Sequence, residues 1–257
     1  MRFRLLMVCG GVVALSACVT ETKGYKPAKP DLPQAAKVNT ELGANYARDG
    51  EYDVALKKLS TAIEEDDSYA PAHARIAYVY AQMGDPEKAQ GEYRRALELD
   101  PNDPDTQNDY GVFLCAQGKT AEADSHFMLA VQNHGYSTPA AAWTNAGVCA
   151  RKANDQKRAE GDFRMALAIG GERPDPLALA GMAEISYAKQ DYLHARGFLE
   201  RYDKVGSPTP GLLALGVYNE RALDDEDAAH QYELKLLRLF PESPEAVQMT
   251  RPTSTSQ

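Results

Sequence analysis

A spacing of 34 residues constrains this chain more than any other feature. With Ala70 as position 1 of a unit ending at Asp103, positions 7, 8, 11, 20, 24, 27 and 32 hold Ile76, Ala77, Tyr80, Ala89, Tyr93, Ala96 and Pro101. One unit earlier the corresponding residues are Leu42, Gly43, Tyr46, Ala55, Leu59 and Ala62, and one unit later Tyr110, Gly111, Leu114, Ala123, Phe127 and Ala130. Within the unit the pattern predicts a helix from about Ala72 to Met83, a break at Gly84-Asp85, and a second helix. Pro86 opens that second helix at a position with no intrahelical N–H bond to lose. Ala89, Tyr93, Ala96 and Leu97 then share one face at the 3.6-residue period, and Asp100-Pro101-Asn102-Asp103 ends it. A hairpin of this kind cannot bury its own apolar face, so copies of it must stack.

Further copies follow after small slips. Past Thr138-Pro139 the fourth reads Trp143, Ala146, Gly147, Ala150, Ala159, Phe163 and Ala166. Past Pro174-Asp175 the fifth reads Leu179, Met182, Ala183, Ala195 and Leu199, and the sixth Leu212, Leu215, Gly216, Ala228, Tyr232 and Pro241. The pattern resembles the tetratricopeptide repeat. The resemblance implies an all-α, right-handed superhelical solenoid of about six tetratricopeptide repeats, each an antiparallel helix pair. The repeats span about 36–69, 70–103, 104–137, 140–173, 176–208 and 209–242 within a domain of residues 36–246. The small residues Gly43, Ala77, Gly111, Gly147, Ala183 and Gly216 are expected where the two helices of a repeat meet. The position-20 alanines, Ala55 to Ala228, should face them, and the position-24 side chains should fill the seam with the next repeat. Leu234, Leu236, Leu237 and Leu239 make the last helix more apolar than a free end, so part of it is expected to pack back on repeat 5. Residues 247–257 are polar and expected to be disordered.

The chain begins with Arg2 and Arg4, an apolar stretch from Leu5 to Ala17, and Leu15-Ser16-Ala17-Cys18. The apolar run is too short to span a bilayer as a helix and has the profile of an export signal, residues 1–17. Its end resembles the bacterial lipobox, which implies cleavage before Cys18 and acylation of its thiol. Val19, where an Asp would mark inner-membrane retention, points by the same resemblance to an outer-membrane anchor at the periplasmic face. Residues 18–35 carry Pro27, Pro30 and Pro33 without apolar period and read as the lipidated cysteine followed by an extended tether.

Few features suggest chemistry. The net charge of −9 disfavours nucleic acid as a partner. His73, His126, His134, His194 and His230 show no metal spacing and read as solvated or capping residues. Nucleophile elbows, phosphate loops and dinucleotide motifs are absent, and Gly170-Gly171 reads as a turn. No enzyme, cofactor, metal site or small-molecule substrate is expected. Cys115 and Cys149 remain once Cys9 leaves with the signal and Cys18 carries lipid. Both fall on first helices of adjacent repeats, so in an oxidising periplasm they either bridge repeats 3 and 4 or remain two buried, small apolar thiols.

First-helix positions 2, 5, 9, 12 and 13 line the concave groove in the tetratricopeptide family. In repeats 1 and 2 these include Thr40, Ala44, Ala47, Arg48, Ala74, Tyr78 and Ala81. In repeats 3 and 4 they include Asn108, Val112, Thr144, Val148, Arg151 and Lys152. Small residues beside Tyr78 suit a peptide with an apolar anchor, and Arg151-Lys152 form a local basic spot. A lipobox, a proline-bearing tether and six repeats together resemble the PilF/PilW family of type IV pilus lipoproteins, as do NDYGVFLCAQGKTAEADSHFMLAVQN and the Tyr136–Pro139 join. That resemblance implies a pilotin that binds the type IV pilus secretin and promotes its outer-membrane localisation and multimerisation, hence pilus biogenesis and twitching motility. The other reading is a periplasmic adaptor lipoprotein that presents substrates to an envelope protease or cell-wall hydrolase.

Overall fold

A computed structural model describes residues 32–250. The proposed signal, Cys18 and all but the last four residues of the expected tether lie outside these described residues, as do residues 251–257. Thirteen helices and no strand occur among the described residues. They form six pairs and a terminal helix: α1 (Leu32–Arg48) with α2 (Tyr52–Glu65), α3 (Ala70–Gln82) with α4 (Pro86–Leu99), α5 (Pro104–Ala116) with α6 (Thr120–Gln132), α7 (Pro139–Lys152) with α8 (Gln156–Gly170), α9 (Pro176–Ala188) with α10 (Tyr192–Val205), α11 (Pro210–Ala222) with α12 (Glu226–Leu239), and then α13 (Pro244–Thr250). The backbones of first helices of successive pairs pack on one another, whereas second helices pack on first helices and, at the C-terminal end, on α13, with side-chain pairs such as Asp124–Arg158 and Asp203–Lys235 bridging successive second helices. The result is an all-α tetratricopeptide solenoid with its second helices on the outer side.

The turns explain why the pattern is so regular. A residue with positive φ falls at position 15 of every repeat: Gly50, Gly84 and Gly118, then Asn154, Gln190 and Asp224. Aspartates cap the following helices, as where Asp85 accepts from the Lys88 N–H, Asp155 from Arg158 and Asp191 from His194. Inside the pairs of repeats 1, 3 and 4, the glycine at position 8 lets the helices close on a large residue at position 24, and in repeat 6 Gly216 meets Tyr232 at the same spacing. A Cβ on Gly43 would stand 2.6 Å from Leu59 Cγ, and one on Gly111 or Gly147 would stand 2.7 Å from the ring of Phe127 or Phe163. The side chain that meets the glycine is therefore the position-24 residue. The position-20 alanines Ala55 and Ala123 present their backbone carbonyls to it instead. Between repeats 2 and 3, Tyr93 stacks on Tyr110 with centroids 5.2 Å apart and packs on Phe113 at 5.5 Å. Such pairs add about 0.5–1.5 kcal/mol each beyond burial.

Four expectations change. Helix α1 begins at Leu32, so Pro33 belongs to its first turn and the helix absorbs the end of the expected tether. The sixth repeat is displaced by one residue: Ala229 is fully buried and takes the position-20 place, donating its N–H to Asp225 O as Ala195 does to Asp191 O. Its unit therefore starts at Pro210, and Ala228 is only half-buried. Residues 247–250 are helical: Ala246 of α13 is buried against Leu213, Ala214 and Leu236. The apolar last pair is thus closed by an additional helix, while Leu234 and Leu239 stay exposed. Finally, His73 is buried, and its two ring nitrogens face acceptors, Glu92 Oε2 at 2.7 Å and the Asp67 carbonyl at 3.1 Å. Among the described residues the other end of the solenoid is bare: Leu42 is 39% exposed where its equivalents Ile76, Tyr110 and Met182 are at most 4% exposed.

Candidate functional site

A groove crosses the first helices of repeats 1 to 3. It is lined by Ala44, Ala47 and Arg48 of α1, Arg75 and Tyr78 of α3, and Asp109 of α5. Its geometry follows from the repeat. Positions 5 of successive first helices lie where those helices touch, so Thr40, Ala74, Asn108 and Thr144 are all buried. Thr40 donates its hydroxyl to Ala36 O, and Asn108 Oδ1 accepts from the Asn145 amide at 3.0 Å. These residues space the helices and do not present a surface. Position 9 does present one: Tyr78 and Val112 are exposed, and Ala44 is half-buried beside them. Ala81 is half-buried against the aromatic core of repeats 2 and 3.

Position 6 adds a charged pair to which the repeat pattern did not point. Arg75 and Asp109 occupy it in adjacent repeats, and their side chains pair across the groove at 3.1 Å. Burial raises the Asp109 carboxyl above its ordinary value, and the Arg75 guanidinium opposes that rise. Arg48 stands exposed at the edge with no ion pair among the described residues. The groove thus offers an alanine floor, a phenol wall, one neutralised ion pair and one free cation. It suits a peptide that brings an apolar side chain to the floor and a carboxylate to Arg48. Further along, Arg151 is paired with Glu184 of the next repeat and Lys152 is exposed, so the basic spot there is partly neutralised.

Cys115 and Cys149 are joined by a disulfide, with Cα atoms 5.7 Å apart. It links α5 to α7. No group of three or more His, Cys, Asp or Glu among the described residues is placed to hold a metal ion, and no described helix is long and apolar enough to cross a membrane.

These features define a tetratricopeptide-repeat protein, and tetratricopeptide-repeat family models match residues 46–108 and 92–125. The chain is 30% identical over 245 residues to the type IV pilus assembly protein PilF of Pseudomonas aeruginosa, covering 95% of this chain and 96% of that one. It is 29% identical to an uncharacterised Haemophilus influenzae protein over 160 residues, or 62% of this chain and 87% of that one. The solved P. aeruginosa PilF structure superposes with a TM-score of 0.79 at 29% identity, covering 86% of this chain and 98% of that one. The structure of PilW, a type IV pilus biogenesis factor, superposes with a TM-score of 0.75 at 28% identity, covering 85% and 99%. The chain belongs to the PilF/PilW family of tetratricopeptide-repeat proteins.

Proposed function

We propose that this protein is a type IV pilus pilotin: a lipoprotein anchored through Cys18 at the periplasmic face of the outer membrane, whose repeat-1-to-3 groove binds a segment of the pilus secretin and promotes its localisation and multimerisation. The observation that carries the reading is the groove itself, a peptide-sized channel in a chain that matches PilF almost end to end.

Deletion of the gene should abolish heat-stable secretin multimers and twitching motility, and intact multimers in the deletion would overturn the reading. A Cys18→Ser form that is fully functional would remove the anchor from the mechanism. Pull-down with the intact lipoprotein from solubilised outer membrane should recover the secretin. Recovery of an envelope protease or cell-wall hydrolase in its place would assign the adaptor role.

A further inference from the structure

The outer faces of the second helices carry a pattern that the groove does not use. Positions 26, 29 and 30 hold Arg201, Lys204 and Val205 in repeat 5, and Lys235, Arg238 and Leu239 in repeat 6. The same triplet is Thr61, Glu64 and Glu65 in repeat 1, and Arg95, Glu98 and Leu99 in repeat 2. The cation-cation-aliphatic triplet therefore occurs only at the C-terminal end, in two adjacent helices. Val205 is 45% and Leu239 44% exposed. Lys204 and Arg238 make no ion pair among the described residues, while Lys235 is paired with Asp203 at 3.2 Å and Arg201 lies over the ring of Phe198. Arg201, Lys204, Lys235 and Arg238 stand against two carboxylates, the exposed Glu200 one turn before Lys204 and the paired Asp203, so the patch is net positive in a chain whose net charge is −9. In repeats 3 and 4 the stripe continues as Leu129, Met165 and Ile169, all exposed.

We infer that this surface settles on a bilayer containing anionic phospholipid. Long cationic side chains that lie over exposed aliphatics can place their charge at the headgroups and their stems along the acyl boundary. Anionic leaflets attract such cations at short range. The face lies on the outer side of the solenoid, where the Lys235–Asp203 ion pair joins the two second helices into one surface. A pocket lined by Gln231, Leu234, Lys235 and Arg238 opens on this face and leaves room for an anionic headgroup beside the two cations. Charge complementarity thus selects the occupant, and the aliphatics favour a membrane over an acidic protein.

The test uses the chain from Val19 onward, which lacks the anchor but keeps the compact unit that begins at Leu32. Co-sedimentation is measured with phosphatidylethanolamine vesicles with and without about one-third phosphatidylglycerol. Binding should require phosphatidylglycerol and fall at least tenfold at 0.5 M salt, because salt at that strength screens exposed cations from the headgroups. It should fall at least tenfold in Lys204→Glu/Arg238→Glu, whose circular dichroism and melting should match the wild type. Arg48→Glu should leave vesicle binding unchanged, which separates this surface from the groove. Equal binding to phosphatidylethanolamine alone, unchanged binding by the double variant, or competition by polyglutamate as effective as phosphatidylglycerol vesicles would each overturn the inference, the last in favour of an acidic protein partner.

Discussion

Gly181 of α9 lies against the ring of Phe163 from the preceding repeat, so closely that a Cβ there would stand 2.6 Å from Cζ. Gly147, in Phe163's own repeat, approaches the other edge of the ring, and the ring is fully buried. One phenylalanine is thus gripped by glycines of two repeats. Gly181→Ala should cost about 1–2 kcal/mol, because overpacking outweighs the helix propensity that alanine gains. Gly91 is also helical but has nothing within 4 Å of its Cβ position. Gly91→Ala should instead stabilise by up to about 1 kcal/mol. Urea unfolding of the two variants, read against wild type, should give opposite signs.

His73 makes stability depend on pH. The Glu92 hydrogen bond raises its pKa above the ordinary 6.5; burial and the nearby Arg95 oppose that rise, and the Asp67 carbonyl adds to it. With a folded pKa above the unfolded one, the contribution is complete below about pH 6.5 and is lost as pH rises through the folded value. The stability gap between wild type and His73→Gln should be widest near pH 5–6 and shrink on the alkaline side. A gap that stays constant from pH 5 to 9 would rule this out.

The disulfide closes a loop with a sequence separation of 34. On the chain-entropy account such a loop contributes about 3–4 kcal/mol. Cys115→Ala/Cys149→Ala should lose that much, and reductant should do the same to the wild type while leaving the variant unaffected.

Glu220 is buried at the last interface, where Arg196 pairs with both it and Asp225. Arg196→Met strands that carboxylate and should cost about 3 kcal/mol. Arg196→Met/Glu220→Met should recover most of the loss, since removing both charges removes the stranded group. A double variant no more stable than the single would contradict the assignment.

For the groove, Arg48→Glu and Ala44→Trp should each weaken secretin capture at least tenfold while shifting the melting temperature by less than about 2 °C, because surface changes of this kind are worth within about 0.5 kcal/mol. Binding by surface plasmon resonance and melting by circular dichroism separate the two effects.

The fold was legible because each repeat writes its small and large residues at fixed positions, although spacing set Gly111 against Ala123 where the structure sets it against the ring of Phe127. The groove was legible only in part. Position 9 shows as surface, but position 5 does not, because contact between first helices buries Thr40, Ala74 and Asn108 whatever their polarity. The Arg75–Asp109 pair left a signal that could have been read: opposite charges at one position in consecutive repeats face each other. Helix α13 left almost none, since Ala246 is its single fully buried residue and its sequence is otherwise that of a polar end. The one-residue displacement of repeat 6 was hidden by a coincidence of neighbours, Ala228 and Ala229.

The link between Cys115 and Cys149 also sets how this molecule answers a pull. Each repeat touches only its neighbours, so tension entering at the N-terminus would peel hairpins away one at a time, beginning with the bare α1 end. Two repeats would come off before the load reached a covalent bond. There the strain would pass through sulfur from Cys115 to Cys149, and residues 116–148 between them would be shielded from the pull.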